Sequence, residues 1–336
     1  MSDARATFVI AEAGVNHNGR LDFGLQLVDI AAEAGADAVK FQTFRADRLA
    51  SGQAPLAVYQ RQAAGQAGQL EMLRALELSE EAHHRLAERC GARNIEFLSS
   101  PFDEAAADFL APLVRRFKIP SGELTNLPFL AHVARHGKPM IVSTGMATLG
   151  EVERALETID AAGPVPVTLL HCTSLYPAPS DAVNLRAMDT LAAAFRRPVG
   201  YSDHTPGLAI ALAAVARGAT VLEKHFTLRR TLPGPDHAAS LEPVELNGLV
   251  FGVRDIERAL GDGRKRPVPG EAEIAAVARK SLVLAADAPA GTVLSREMLS
   301  SRRPGTGIGP DFLPLVVGRV LRRDVKAGTT LRWEDL

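Results

Sequence analysis

Two short segments of the chain place histidines where imidazole could hold a metal ion. Residues 201–205 are Tyr-Ser-Asp-His-Thr and residues 223–227 are Glu-Lys-His-Phe-Thr, so His204 and His225 lie 21 residues apart, each closing an apolar run. Imidazoles at the ends of neighbouring parallel strands can bind one divalent ion above the mouth of a barrel, where enzymes of that architecture do their chemistry. The spacing predicts a metal-dependent barrel enzyme. The alternative is a pair of core histidines at strand ends.

The elements that would position these histidines are βα units. Over the first 260 residues, short apolar runs alternate with helical periodicity, which is typical of a parallel sheet covered by helices. Glycines such as Gly35, Gly91 and Gly218 end several of the helical stretches. Eight strands are predicted: Phe8–Glu12, Ala38–Gln42, Ile95–Ser99, Phe117–Ile119, Pro139–Ser143, Val167–His171, Pro198–Tyr201 and Thr220–Lys224.

The number of strands predicts the α/β fold class, and within it a closed (β/α)8 TIM barrel. An open doubly wound sheet usually has fewer strands and a glycine-rich phosphate turn after the first one. Residues 12–19, Glu-Ala-Gly-Val-Asn-His-Asn-Gly, form no such turn. The stretch 45–77 is rich in Ala, Gln and Gly and is predicted to be an elaborated loop over the catalytic face.

The end of the chain follows another pattern, which predicts a second, smaller domain. Residues 263–270 are Gly-Arg-Lys-Arg-Pro-Val-Pro-Gly, a basic linker. Beyond it, residues 287–294 recur 37 residues later as residues 324–331, an internal repeat typical of a separate module with short strands and turns. The predicted divisions are a catalytic domain over 1–262, a linker over 263–275 and a small β-rich domain over 276–336.

Composition sets only broad limits on function. The 336 residues are 46% hydrophobic and 23% charged, which is ordinary for globular domains with ample core. The formal net charge of −1 gives no reason to expect nucleic acid or an anionic membrane as partner. No apolar stretch suits a secretory signal or a membrane span, and Cys90 and Cys172 fit a reducing compartment better than a disulfide framework. A cytoplasmic location is expected.

A set of motifs, taken in order, resembles the sialic acid synthase family. Their order along the chain is the specific feature, because each motif alone would be weak. The tail, with Arg302-Arg303-Pro304-Gly305, is similar to the antifreeze-like (SAF) C-terminal domain of that family. Besides the two histidine segments and residues 12–19, the motifs are Val39-Lys40-Phe41-Gln42-Thr43, Phe117-Lys118-Ile119-Pro120-Ser121-Gly122-Glu123, Ser143-Thr144-Gly145-Met146, His171-Cys172-Thr173-Ser174 and Gly234-Pro235-Asp236-His237.

The resemblance implies an enzyme that condenses phosphoenolpyruvate with an N-acylated hexosamine to a nine-carbon 2-keto acid and phosphate. A divalent ion is a suitable Lewis acid for the sugar's open-chain aldehyde, and the resemblance implies that His204 and His225 hold Mn2+. A homodimer is also implied, in which each tail caps the partner's barrel. By resemblance, phosphoenolpyruvate would be bound by Lys40, Ser100, Lys118, Ser121, Ser143, Ser174 and Ser202. For the lysines the alternative is an exposed or internally paired side chain, and for the serines a cap or turn.

Three glutamates are candidates for the catalytic carboxylate. After C3 of phosphoenolpyruvate attacks the aldehyde, water must add at an oxocarbenium-like C2, which requires a carboxylate that accepts a proton. Glu123 is favoured for the water and Glu12 for the sugar hydroxyls or a metal-bound water. Glu223 is the third candidate, and its alternative is a structural partner of Lys224. The sugar would be recognised by Gln42, Tyr176 and Asp236, with Arg303 arriving from the small domain.

The sugar substrate is open between two alternatives. Residues 236–243 resemble N-acetylneuraminate and legionaminate synthases more than pseudaminate synthases, and residues 125–128, Thr-Asn-Leu-Pro, favour a legionaminate-like relative slightly. N-acetylneuraminate synthases accept N-acetylmannosamine, and legionaminate synthases accept its 2,4-diacetamido-2,4,6-trideoxy analogue. A pseudaminate-type synthase, another metal-dependent barrel aldolase or isomerase, and a non-catalytic sugar-binding barrel are the remaining hypotheses. His83, His84, His132 and His136 are expected on solvated helix surfaces.

Overall fold

Eight parallel strands form a nearly closed barrel in the first part of the chain. The structure is a computed structural model that describes residues 6–52, 54–55 and 68–336. The strands follow the order β3-β2-β1-β8-β7-β6-β5-β4, and β3 and β4, at the two ends of this order, lie against each other. They are β1 Phe8–Gly14, β2 Ala38–Thr43, β3 Glu96–Pro101, β4 Phe117–Ile119, β5 Met140–Ser143, β6 Val167–Cys172, β7 Val199–Asp203 and β8 Val221–His225.

Helices alternate with these strands and cover the outside of the barrel. The eight predicted strands are all present, each within two residues of its expected bounds, so the predicted barrel is confirmed. The barrel helices are α1 Leu21–Glu33, α2 Ala46–Leu49, α3 Gln69–Ala75, α4 Glu80–Ala92, α5 Glu104–Leu110, α6 Leu127–Ala134, α7 Leu149–Ala162, α8 Ala187–Phe195, α9 Ala209–Ala216 and α10 Pro243–Leu260.

The stretch 45–77 is more structured than the sequence predicts. It contains helices α2 and α3, although part of it, 53 and 56–67, lies outside the described residues. Both helices are short, of four and seven residues, so helical periodicity has too few turns to be recognised there. Leu49, Met72 and Leu73 pack from these helices against buried Val15 and Phe44, which explains why the stretch folds.

Two apolar layers hold the barrel together. Side chains on the outer faces of the strands pack against the helices and form the larger core. Inside the barrel, one layer of apolar side chains fills the end opposite the predicted site, as barrel interiors require. This inner layer consists of Ile10, Ala38, Leu98, Ile141, Leu170 and Val221.

The rest of the chain forms a second compact unit, from Gly263 to Leu336. It contains α11 Glu271–Ala278, β9 Ser281–Leu284, β10 Leu299–Arg302 and α12 Leu313–Val316, with β9 and β10 paired antiparallel. Helix α11 begins within the stretch expected as linker. The unit has a core of its own, which includes Leu282, Val316 and Leu331.

The internal repeat of the sequence forms a reciprocal pair of turns in this unit. Asp287 Oδ1 accepts a hydrogen bond from the backbone N–H of Ala327 at 2.8 Å, in the other copy of the repeat. Asp324 Oδ1 accepts the equivalent bond from Ala290 at 2.8 Å. Each aspartate thus accepts a hydrogen bond from a backbone N–H of the opposite copy, which explains why both copies carry an aspartate at this position.

Cys90 and Cys172 are both free and buried. The described residues contain no helix that is long and apolar enough to cross a membrane. The expectation that His83 is solvated is wrong, because its side chain is 1% exposed and its Nδ1 lies 2.9 Å from the Ser79 carbonyl oxygen.

Candidate active site

The pleat of the strands determines which side chains enter the barrel. Alternate residues of a strand face the same way, so Val221, Glu223 and His225 of β8 share the inner face. Val221 belongs to the inner apolar layer, and Glu223 and His225 follow it towards the carboxyl end of the strand. In β2, Ala38 and Lys40 repeat this order. The site is therefore a polar layer stacked on an apolar one.

A cavity of about 430 Å³ opens above this polar layer. It brings together all of the predicted site residues except Glu123 and Arg303. The predicted residues that line it are Glu12, Lys40, Gln42, Ser100, Lys118, Ser121, Ser143, Ser174, Tyr176, Ser202, His204, Glu223, His225 and Asp236.

Two lysines and two glutamates form a buried charge cluster on the cavity floor. Lys40 Nζ lies 2.8 Å from Glu12 Oε2 and 3.8 Å from Glu223 Oε2, and it donates a hydrogen bond to Ser100. Lys118 Nζ lies 3.4 Å from Glu223 Oε1. The four charged side chains are at most 5% exposed. The lysines are internally paired, and their partners are themselves residues of the cavity.

The two glutamates of this cluster differ in electrostatic character. Burial raises the pKa of Glu12, and the attraction of Lys40 offsets only part of that effect. Burial would also raise the pKa of Glu223, but Lys118 and Lys40 outweigh it and hold this pKa low. Ser202 also donates a hydrogen bond to Glu223 Oε1 at 2.9 Å. Glu223 is therefore a fixed negative charge, while Glu12 can exchange a proton near neutral pH.

His204 and His225 lie side by side at the strand ends, with ring centroids 5.4 Å apart. His204 Nδ1 lies 2.8 Å from the Thr173 carbonyl oxygen, so a proton on Nδ1 leaves Nε2 as a ligand atom. Burial lowers the pKa of His204, but contacts of Nδ1 with Cys172 and Thr173 outweigh it and raise this pKa. Metal binding there would displace a proton.

The surroundings of His225 also suit a divalent ion. Burial, followed by the charges of His204 and Lys40, lowers its pKa well below the usual value, so the ring stays in the neutral form that binds metals. Its Nδ1 is out of solvent and has no hydrogen-bond partner among the described residues, and Asp236 Oδ2 lies 3.8 Å away. Burial raises the pKa of Asp236 to about 6. Two imidazoles and a nearby carboxylate fit Mn2+, Zn2+, Fe2+ or Co2+.

A narrow cradle lies beside the lysines, where Gly145 passes Ser121 and Ser174. The Gly145 N–H donates a hydrogen bond to Ser121 Oγ at 3.0 Å. A Cβ on Gly145 would lie 2.3 Å from Ser174 Oγ and 2.8 Å from Ser121 Oγ, so any larger residue would displace both hydroxyls. Hydroxyls gathered beside a buried lysine form an anion-binding surface.

One wall of the cavity is apolar, a property that the prediction of a loop over this face did not include. Helices α2 and α3 and the strand ends contribute Val15, Leu49, Met72, Leu73, Leu76 and Phe102. The spacing of Leu49, Met72, Leu73 and Leu76 was visible in the sequence. The stretch 45–77 was expected over this face, but as a loop, so the side chains that would enter the cavity could not be named.

Two predicted site residues are not among those that line the cavity. Glu123 ends a 3-10 turn after β4, where its Oε2 accepts a hydrogen bond from Asn126 Nδ2 at 2.8 Å, and it does not line the cavity. Arg303 belongs to the second unit, where it is exposed and its Nε donates a hydrogen bond to the Ala278 carbonyl at 2.9 Å.

Behind the histidines lies a buried ion pair that the sequence analysis missed. Asp203 and Lys224 are register partners in β7 and β8, and Lys224 Nζ donates to Asp203 Oδ2 at 2.7 Å. Both side chains are at most 1% exposed. Asp203 Oδ1 accepts from Tyr201 Oη at 3.2 Å and from the Thr205 N–H at 2.9 Å, and Lys224 also bonds the Thr205 carbonyl. The network joins the two strand ends that carry the histidines.

Comparison with known proteins decides the family. The model of the NeuB family matches residues 27–265, and that of the SAF domain matches residues 279–336. The chain belongs to the NeuB family. It is 50% identical to the N,N'-diacetyllegionaminic acid synthase of Legionella pneumophila, covering 98% of this chain and 94% of the relative. It is 47% identical to the protein of the same name from Campylobacter jejuni, covering 98% and 99%.

A solved structure agrees with this membership. N-acetylneuraminic acid synthetase from Leptospira borgpetersenii, in complex with citrate, superposes with a TM-score of 0.72 at 35% identity, covering 81% of this chain and 90% of that one. The predicted resemblance to sialic acid synthases is thereby confirmed, and so is the predicted SAF tail. Enzymes of the NeuB family are in general metal-dependent.

Proposed function

We propose that this NeuB-family enzyme condenses phosphoenolpyruvate with a 2,4-diacetamido-2,4,6-trideoxy analogue of mannose, giving a nine-carbon 2-keto acid, N,N'-diacetyllegionaminate, and phosphate. One observation carries the choice of sugar. The cavity joins a floor of lysines and serines to a wall of apolar side chains, which include Leu49, Met72 and Leu73. The two relatives named as N,N'-diacetyllegionaminic acid synthases support the same choice.

The anionic substrate would be bound on the floor. Lys40 and Lys118 lie there with the seryl cradle of Ser121 and Ser174. Phosphoenolpyruvate carries a phosphate and a carboxylate, and two buried ammonium groups with several hydroxyls match such a molecule. The serines Ser100, Ser143 and Ser202 also line the cavity and complete the predicted set.

Glu12 is our candidate for the proton-handling carboxyl. In the proposed reaction, C3 of phosphoenolpyruvate forms a bond to the sugar aldehyde carbon, whose oxygen takes up a proton and becomes a hydroxyl. Water then adds at C2 and loses one proton. As the C2–O bond to phosphate breaks, the new C2 hydroxyl gives its remaining proton to the departing phosphate and becomes the keto oxygen. A carboxyl with a raised pKa beside Lys40 suits that proton transfer. Glu123, the glutamate favoured from the sequence, lies outside the cavity.

The metal would be held by His204 and His225, with Asp236 beside them, and we propose Mn2+ as the ion. When bound, it supplies a Lewis acid for the aldehyde oxygen. Tyr176 lies against both imidazoles, with its ring centroid 4.1 Å from that of His204 and 5.8 Å from that of His225. With Gln42 and Asp236 it would orient the sugar beside the metal.

Phosphate release with two sugars tests the choice of substrate. The 2,4-diacetamido-2,4,6-trideoxy sugar should give a kcat/KM at least about ten-fold above that of N-acetylmannosamine, because its C6 methyl can contact the apolar wall where a hydroxyl loses hydrogen bonds to water. Leu73→Asn should reduce this preference. Leu149→Asn, at an exposed leucine outside this cavity, is the matched control. A preference for N-acetylmannosamine would contradict the assignment of the wall.

A second proposal concerns assembly and rests on the family resemblance. We propose catalytic and SAF domains over 1–262 and 276–336, and a homodimer in which the SAF domain of each copy supplies Arg303 to the partner's barrel. Arg303→Ala and His225→Ala proteins should each be nearly inactive alone. Mixed dimers should regain activity, because one of their two sites then has both residues. If heterodimers form and remain inactive, Arg303 does not act across the dimer.

A further inference from the structure

Three metal-binding side chains converge on the outside of the barrel, away from the cavity. They are Asp108 of α5, His132 of α6 and His136 in the turn after α6. One ligand atom from each lies within 4.8 Å of the other two. We propose that this cluster is a second metal site, which takes Zn2+ or a similar transition ion and links α5 to α6.

The geometry aims both imidazoles at one carboxylate oxygen. His132 Nε2 lies 2.7 Å from Asp108 Oδ1, and His136 Nε2 lies 3.0 Å from the same atom. The two ring centroids are 5.4 Å apart with the planes at 77°. His132 lies in the last turn of α6, and the backbone N–H of His136 bonds the Val133 carbonyl in the turn that follows, which keeps the two rings close together. A small displacement of Asp108 would leave room for an ion between the three groups.

The position of His136 is fixed before any ion binds. Its ring packs against Phe117 of β4, with centroids 5.5 Å apart. Its Nε2 is out of solvent and has no aligned hydrogen bond within the described part of the chain. The side chains of His132 and His136 are only 25% and 23% exposed, so neither is a freely moving surface group. The close polar neighbour of His136 Nε2 is Asp108 Oδ1, and coordination would give the nitrogen a second, well-aligned partner.

The donor set selects the class of ion. Two imidazoles and one carboxylate suit Zn2+, Co2+, Ni2+ or Cu2+, whereas Mg2+ and Ca2+ prefer all-oxygen sites. The hydrogen bond from His132 lowers the pKa of Asp108, so this carboxylate is charged when an ion arrives. Asp108 is 57% exposed, which leaves a path for the ion and a position for water.

Ion binding to the stripped full-length protein tests the proposal. Equilibrium dialysis with Zn2+ should show that His132→Gln and Asp108→Asn bind one ion fewer than wild type at micromolar Zn2+, or bind it at least about ten-fold more weakly. His84→Gln, which removes an exposed histidine of α4, should bind as many ions as wild type. Zn2+ should also raise the thermal midpoint more in wild type than in either cluster variant, because binding links two helices.

Unchanged Zn2+ stoichiometry and affinity in both cluster variants would overturn the site. So would an equal thermal effect of Zn2+ on wild type and His132→Gln. These measurements count bound ions and do not involve turnover. Their outcome is therefore independent of the proposed synthase reaction and of the ion at His204 and His225.

Discussion

Replacing His225 by Gln should abolish phosphate release from phosphoenolpyruvate and weaken Mn2+ binding by about 100-fold or more. The imidazole is buried and neutral, and the amide that replaces it is a poor ligand for this ion. Chelator treatment of the wild type should give the same loss of activity, and added Mn2+ should restore it. The fold should survive both changes, because the inner apolar layer of the barrel does not include His225.

Mn2+ affinity, measured by the electron paramagnetic resonance signal of the free ion, separates this site from the surface cluster. All proteins in the comparison should carry His132→Gln, so that one expected site remains. His171→Gln is the matched control, since His171 also lies near the end of a barrel strand but bonds the Val183 carbonyl oxygen. Full activity in metal-free enzyme, or undiminished Mn2+ binding in His225→Gln, would show that the pair of histidines does not hold the ion.

Much of this barrel is encoded in local sequence patterns. Each strand is a short apolar run, and most of the helices between the strands, though not α2 and α3, are long enough for their periodicity to be visible. The inward direction of Lys40 and Glu223 follows from the same pattern, because residues two apart on a strand share a face. The polar layer of the cavity was therefore accessible from the sequence once the strands were placed.

The surroundings of Glu123 and the apolar wall of the cavity depend on contacts that no local sequence pattern encodes. Glu123 ends the 3-10 turn after β4, where Asn126 Nδ2 donates to its carboxylate, and it is not among the residues that line the cavity. Helices α2 and α3 are too short to be recognised alone, and their apolar residues become a cavity wall only through packing against Val15 and Phe44. That these apolar residues form a cavity wall, which supports the choice of a deoxy sugar, follows only from the tertiary structure.

The pairing of Asp203 with Lys224 was also hidden, although both residues adjoin the histidines in sequence. Facing outward from the barrel, they lie between the strands and the helices, where charges are rare. Their partnership depends on the register of β7 against β8, and register is a property of the pair of strands. In each histidine segment, the histidine lines the cavity, and the residue before it, Asp203 or Lys224, joins the two strand ends.

Breaking this ion pair should have a large effect on stability. Asp203→Asn or Lys224→Met alone should lower the free energy of unfolding by about 3–5 kcal/mol, because each leaves a buried charge or its hydrogen-bond donors without a partner. The double variant should lose clearly less than the sum of the two, since no uncompensated charge remains. Urea unfolding of the four proteins provides the measurement, and additive losses would mean that the two residues act independently.

The same variants should also change the Mn2+ affinity of the site formed by His204 and His225. Asp203 bonds the backbone on one side of His204, at Thr205, and Lys224 directly precedes His225, so we expect the pair to fix the separation of the imidazoles. The double variant should regain much of its stability while its Mn2+ affinity stays below that of wild type, because apolar packing does not restore a fixed distance between two strand ends. If Mn2+ affinity instead follows stability through all four proteins, the pair contributes to folding alone and the histidines are positioned by the strands themselves.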